Sequence, residues 1–322
     1  MKAPKKFKVL KTDPDMTWIP DEEHRYAAID IGSNGVRLLL SRVIIAGGYS
    51  TFTKESLVRM PIRLGADVFL QKSISDVLEH KLVSTMNGFA QLLKAYDPED
   101  YRACATSAMR EAKNGKRICE RIKEESGLEL QIIGGGEEAE IIFAAQVADQ
   151  LSPENAYLYI DVGGGSTELT FFANQDRVAA KSFPIGTVRM LNRQVTQRSW
   201  AEMRDWVIET LGHTRQVQAI GSGGNINKIF RLAGLSTGEP LNYDLLKSID
   251  VELNAHSYEE RIRILHLRPD RADVIIPASK IFTSLLEWGH IEQLHVPQFG
   301  LSDGLIHVMH DSYLNSVSQS VE

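Results

Sequence analysis

Asp30-Ile31-Gly32-Ser33-Asn34-Gly35-Val36-Arg37-Leu38 and Asp161-Val162-Gly163-Gly164-Gly165-Ser166-Thr167-Glu168-Leu169 are one short phrase written twice. Each copy closes an apolar run (residues 26–29 and 157–160) with aspartate, crosses a glycine- and hydroxyl-rich turn, and re-enters an apolar run at the same offset. The pattern reads as strand, turn, strand. Such a turn exposes backbone N–H groups and hydroxyls, and glycine lets a bulky anion approach the main chain. Two hairpins of this kind facing each other form a phosphate clamp. An acid just before each turn is placed to hold a divalent cation in that clamp, directly or through water.

The pattern around each copy also repeats. Residues 36–45 and 51–60 read as two strands joined at Gly47-Gly48, and residues 75–96 carry apolar side chains at helical spacing. A short strand follows at 101–106, then a helix capped by Asn114 and stopped near Gly127, a strand at 130–133, and a helix over 137–151. The second copy restarts the series with strands at 156–162, 169–173 and 177–183, and a further strand at 218–222 leads into Gly221-Ser222-Gly223-Gly224-Asn225 and a helix. A buried helix over 273–288, a strand at 293–296 and a helix over 301–313 close the chain. Three meandering strands followed by alternating helices and strands, twice over, describe a duplicated α/β unit. The division expected is an N-terminal extension (1–24), a first domain (25–134 plus about 300–322) and a second domain (135–299), hinged near Gly134-Gly135-Gly136.

A chain of 322 residues has length for two cores, and 43% hydrophobic with 24% charged residues is ordinary for a globular protein. The net charge of -6 argues against a protein that binds DNA or a membrane surface by global electrostatics. No apolar run approaches the roughly 18 residues that span a bilayer, and the Lys-rich start lacks the apolar segment of a signal peptide. Cys104 and Cys119, the two cysteines, have no metal-ligand spacing and read as reduced core thiols. A cytoplasmic protein is expected.

The glycine loops define the candidate site. Ser33-Asn34-Gly35 alone is also a good turn, whereas three successive glycines exceed what a tight turn needs and cost entropy on ordering. The third loop, ending in Ser222-Gly223-Gly224, lies between strand and helix, where N–H groups and the helix dipole suit an anion. The expected phosphate contacts are therefore Ser33, Asn34, Gly35, Gly164, Gly165, Ser166, Thr167, Ser222, Gly223 and Gly224. No Gly-Lys-Ser/Thr follows any loop, and the first two lead into strands, so neither a P-loop nor a dinucleotide fingerprint is present.

Asp30, Asp161 and Glu168 are the acids attached to the loops. A bare carboxylate about 4 Å from a phosphate charge is repelled by roughly 4 kcal/mol at an effective dielectric near 20. Phosphate binding beside these acids therefore calls for a cation, best Mg2+ held largely through waters. Glu137-Glu138 open a helix after the triple glycine, where the macrodipole alone accounts for acids. Arg37, Arg110, Arg189, Lys228 and Arg271 lie near the loops as neutralising charges. His310-Asp311, and the helix bearing Lys113, Lys116, Arg117, Arg121 and Lys123, read as solvated surface.

Taken together, these elements resemble the exopolyphosphatase/guanosine pentaphosphate phosphatase (Ppx/GppA) family, in its short two-domain form. Beyond the two hairpins, the resemblance rests on Ala105-Thr106-Ser107-Ala108-Met109-Arg110-Glu111-Ala112, Gly136-Glu137-Glu138-Ala139, Gly221-Ser222-Gly223-Gly224 and Arg271-Ala272-Asp273-Val274-Ile275-Ile276-Pro277. It implies duplicated ribonuclease H-like domains of the actin-like ATPase superfamily around an interdomain cleft. It also implies Mg2+-dependent removal of the terminal phosphate of inorganic polyphosphate, or of the 5′ γ-phosphate of pppGpp. The family's base falls on Glu138, and its metal and activity residues on Asp161 and Glu168; the reading of the loop acids adds Asp30 as a further expected metal-side residue. Glu140 and Ser302 stand where the family usually has arginine. A homodimer is left open as a protein partner. Two rival readings also remain open. One is a nucleotide-dependent phosphotransferase of the same superfamily with an adenosine pocket around 221–225; the other is a non-catalytic sensor of (p)ppGpp or polyphosphate.

Overall fold

In the computed structural model, which describes residues 22–144, 155–174, 176–212, 214 and 216–320, both copies of the phrase are hairpin tips. The first half runs β1 (Glu22–Ile31), β2 (Val36–Ala46), β3 (Tyr49–Met60), α1 (Gly65–Gln71), α2 (Asp76–Tyr96), β4 (Asp100–Ala105), α3 (Ser107–Glu111), α4 (Gly115–Ser126), β5 (Gln131–Ile132) and α5 (Gly135–Ala144). The second runs β6 (Ala156–Val162), β7 (Thr167–Ala173), β8 (Asp176–Phe183), α6 (Thr187–Leu191), α7 (Gln197–Leu211), β9 (Val217–Ser222), α8 (Gly224–Leu232), β10 (Leu241–Asn242), α9 (Tyr243–Ala255), α10 (Tyr258–Arg263), α11 (Pro269–Ala272), α12 (Ile275–Trp288), β11 (Gln293–His295) and α13 (Leu301–Ser320). The helix expected over 137–151 is described only to Ala144; the rest of it, and residues 1–21, lie outside the described residues.

The two sheets share one plan. Their strand orders are β3-β2-β1-β4-β5 and β8-β7-β6-β9-β11, the second extended at its edge by β10. In each, a three-strand antiparallel meander continues into parallel pairs, β1 with β4 and β6 with β9. Strand alternation then divides the core. Ala27, Ile29 and Ile31 point into the first domain's interior, while Leu158, Ile160 and Val162 point into the second's. The intervening Tyr26, Ala28, Tyr157 and Tyr159 meet in a third cluster with Ile142 of α5 and Leu301, Leu305, Ile306 and Met309 of α13. Both faces of each sheet are thus covered, which is why the strands read as continuous apolar runs. The helices α5 and α13 cross where Gly304 lies against the backbone of Ile141.

Two expectations about surface residues are corrected. His310 is not exposed: α13 lays this face on the first sheet, the imidazole is 1% exposed, and its Nε2 lies 2.7 Å from Ser50 Oγ. Only its neighbour Asp311 faces water. Nor is the basic face of α4 merely solvated, because Glu79 of α2 is buried beneath it. Arg117 donates to both Glu79 oxygens at 2.9 and 2.5 Å, and Arg121 Nη1 donates to Oε1 at 2.9 Å. The strand β1 also begins at Glu22, so His24 is a buried strand residue, its Nδ1 2.7 Å from Glu99 Oε2. Among the described residues no helix is long and apolar enough to cross a membrane.

Arg117, then Arg121, hold the Glu79 carboxyl below its ordinary range against the opposing effect of burial. Its stabilisation is therefore complete above the unfolded carboxylate range and is lost as pH falls through the lowered folded value. Glu79→Gln should reduce unfolding free energy by about 1–3 kcal/mol at neutral pH and flatten the acid limb of the stability curve. Urea denaturation across pH 3 to 7 checks both effects.

Candidate active site

The same bond closes both hairpin tips. Gly32 N–H donates to Gly35 O at 3.1 Å, and Gly163 N–H to Ser166 O at 2.9 Å. The tips meet: a Cβ built on Gly164 would stand 2.8 Å from Ser33 Cβ. Behind them Gly65 N–H donates to Ser33 O at 2.9 Å, and the hydroxyls of Ser33 and Ser107 lie 2.9 Å apart. The segment entering α6 caps the second tip, with Thr187 N–H on Gly163 O and the N–H groups of Val188 and Arg189 both on Gly164 O. Gly186 lies so close to Gly164 and Gly165 that any side chain there would enter their backbone. Close packing accounts for two of the three successive glycines in structural terms.

One polar cleft brings together Asp30, Ser33, Asn34, Gly35, Glu138, Asp161, Gly164, Ser166, Glu168, Ser222, Gly223 and Gly224. Gly165 and Thr167 do not line it. Gly165 is covered by Phe69, and Thr167, fully buried, donates its hydroxyl backwards to Ile185 O at 2.6 Å. Strand alternation explains the second case, since Thr167 is one residue out of phase with Glu168. The lining also includes Thr106, Ser107, Asn225, Thr187 and Gly300. Thr106-Ser107 end β4 as Ser222-Gly223 end β9, so carrying the internal repeat one strand further would have found them.

The two hairpins differ electrostatically at one paired position. Asp30 faces Arg37 across the first hairpin, and the two form an ion pair. Asp161 faces Glu168 across the second. Glu168 Oε1 accepts from Ser166 Oγ at 2.6 Å and Ser182 Oγ at 2.9 Å, and Asp161 Oδ1 accepts from Ser222 Oγ at 3.2 Å. Gly223, with φ of +100°, passes close over Asp161, a conformation suited to glycine. Glu138, one turn into α5, completes an acidic wall; Gly135 at that helix start passes over Glu168.

Burial first, and then Glu168, push Asp161 up to about 7. Burial followed by Glu168, Asp161 and Asp30 raises Glu138 well above the carboxylate range, although its half-exposed surface on the cleft tempers the rise. Glu168 is raised by burial against its two serine donors. Among the described residues no three His, Cys, Asp or Glu side chains converge tightly enough to hold a metal alone. The carboxylates face a shared space instead.

Part of the rim is basic. Arg271 Nη1 donates to Asn225 Oδ1 at 2.7 Å, and its guanidinium occupies the space a side chain on Gly224 would need. Burial, then the neighbouring Arg37 and Arg59, lower it to about 9. The segment carrying Arg271 is clamped to the first domain by Arg59–Asp270 and Arg63–Asp273, both 2.6 Å, and by Asn34 Nδ2 donating to Asp270 O at 3.1 Å. Arg189 is structural: it donates to Gly165 O at 2.7 Å and to Glu111 Oε1 at 2.5 Å. Arg110 donates to Ile133 O at 2.6 Å, and its charge lowers Glu138 and Glu168. Lys228 lies outside the cleft. Glu140 pairs with Arg177, and Ser302 is buried at the start of α13.

The profile of the Ppx/GppA phosphatase family matches residues 58–313. Exopolyphosphatase 1 of Mycobacterium tuberculosis is 26% identical over 305 residues, covering 88% of this chain and 87% of that protein. A guanosine-5'-triphosphate,3'-diphosphate pyrophosphatase of Photobacterium profundum is 27% identical over 299 residues, but the match covers 88% of this chain and only 59% of that longer protein. The crystal structure of the Aquifex aeolicus member of the Ppx/GppA protein family superposes with a TM-score of 0.73 at 25% identity, covering 91% of this chain and 99% of that one.

Raised folded values in the acidic wall mean that its contribution to stability is complete below the unfolded carboxylate range and lost as pH rises through about 7. In EDTA, the urea midpoint should be lower at pH 8 than at pH 5, and Asp161→Asn should shrink that difference. The clamp makes a separate prediction. A double-mutant cycle of Arg63→Met with Asp273→Asn should return a coupling of about 1 kcal/mol in urea unfolding.

Proposed function

The chain belongs to the Ppx/GppA phosphatase family, and from that premise we propose that it hydrolyses the terminal phosphoanhydride of inorganic polyphosphate, with the 5′ γ-phosphate of pppGpp as the second substrate of the same site. The observation that carries this reading is the meeting of the two hairpin tips beside Glu138, Asp161 and Glu168. The glycine loops, their hydroxyls, the carboxylates and the guanidinium groups of Arg37 and Arg271 all line one cleft. An anion lying on the glycine loops has its end at the carboxylates.

The donor set fits a magnesium ion: Asp161 and Glu168, paired across β6 and β7, are hard oxygen ligands whose charge a cation offsets, and two carboxylates leave the other coordination positions to waters and phosphate oxygens. When bound, Mg2+ shields the terminal phosphate from the carboxylates and stabilises charge developing on the leaving oxygen. The remaining work belongs to the chain. Ser33, Gly35, Gly164 and Gly223 offer N–H groups to the phosphate oxygens. Arg37 and Arg271 hold the next phosphate. Glu138 accepts a proton from the attacking water as the water oxygen bonds to phosphorus and the bridging P–O bond breaks, so that orthophosphate and a chain shorter by one unit leave. Burial first, and the neighbouring acids after it, raise Glu138, and a carboxylate of raised proton affinity is a stronger base than an ordinary one.

Glu138→Gln should lower kcat by about two to four orders of magnitude with KM changed little. Phosphate release from polyphosphate, pppGpp and ATP, each with Mg2+ or EDTA, tests the reading. Full turnover by the variant, or wild-type turnover undiminished in EDTA, would remove Glu138 or the metal from the mechanism.

A further inference from the structure

A second concavity adjoins the cleft and shares Arg37, Gly223, Gly224 and Gly300 with it. Its floor is one face of α8. Counting from Gly224 at the cleft rim, Asn227, Lys228 and Arg231 recur at i+3, i+4 and i+7, so they follow one another away from the site. The facing wall comes from the first domain, where Lys54 of β3 pairs with Asp303 at 2.6 Å and sits 5.2 Å over the Phe299 ring.

Asp303, which also lines this wall, neutralises Lys54, but the two charges on α8 are not cancelled locally. Among the described residues no acid pairs with Lys228, which is half-buried, or with Arg231, whose Nη2 meets only Gln298 Oε1 at 3.3 Å. This is a cationic trough on a chain of net charge -6. It is poorly shaped for a nucleobase, because Lys54 already covers a face of Phe299 and the His307 ring lies edge-on to it at 6.4 Å. Ammonium and guanidinium heads in file suit a repeating anion instead. At 1.5 Å rise per residue, Arg231 lies about 10 Å beyond the loop at the start of α8, past the reach of a substrate of two or three phosphates.

Resting on the hydrolase reading above, we infer that this trough seats the phosphates of a linear polyphosphate remote from the attacked end, which makes long chains the preferred substrate of the cleft. The test compares wild type with Lys228→Ala/Arg231→Ala on long-chain polyphosphate, tripolyphosphate and pppGpp. The double variant should raise KM for the long chain by about tenfold, with a weaker dependence of that KM on ionic strength, while the tripolyphosphate constants stay near wild type. Lys228→Gln/Arg231→Gln, with an unchanged thermal midpoint, separates lost charge from disturbed packing. An unchanged long-chain KM would overturn the inference, and so would a loss confined to pppGpp, which would assign the trough to the nucleoside. If wild type releases no phosphate from any substrate, the hydrolase reading falls by itself. Retention of fluorescent long-chain polyphosphate by wild type and its loss by the variant would then still support the trough, and equal retention would overturn it.

Discussion

Everything at this site depends on the van der Waals contact between Ser33 and the backbone of Gly164. Two hairpin tips, each closed by the same glycine-to-carbonyl bond, approach until no side chain fits between them. Gly186 packs against the second tip from behind, and Phe69 and Ser107 fill the remaining space. The contact fixes the distance between two sets of exposed N–H groups borne by different domains. An anion-binding surface made from two halves is only as well defined as that approach.

Duplication supplies the frame, and one departure from it supplies the chemistry. At equivalent register the first hairpin pairs aspartate with arginine and the second pairs aspartate with glutamate. The first hairpin is thereby neutralised, whereas the second accumulates negative charge that burial makes costly. Glu138 adds to that wall from the first turn of α5; burial raises all three carboxyls, repulsion adds to it at Asp161 and Glu138, and protons or a cation relieve it. Arg271 opposes them from a segment tied to the other domain by Asp270 and Asp273. The segment that carries the basic rim is thus the one that ties the two halves together.

Legibility followed the physics of each signal. Strand periodicity and the repeated phrase located both sheets, and glycine-rich turns marked the loops, because these features act over a few neighbouring residues. Thr167 was assigned to the cleft as part of a motif, but alternation along β7 turns it to the back. His310 seemed solvated on a helix with polar neighbours, yet α13 buries it on the first sheet. Glu79 carried no signal at all: its partners come from α4, whose basic face is ordinary until the buried carboxylate beneath it is seen.

The amino-acid sequence by itself determined the duplicated α/β architecture, the three loops and the acids attached to them, since those follow from local periodicity, glycine and charge. Tertiary structure alone decided which glycines make room for neighbours and which face the cleft, which arginines bind backbone and which stay available to an anion, and that Lys54, Lys228 and Arg231 share one trough. Those outcomes turn on distances between segments far apart in the chain, and side-chain identity does not encode such distances until both sheets have packed.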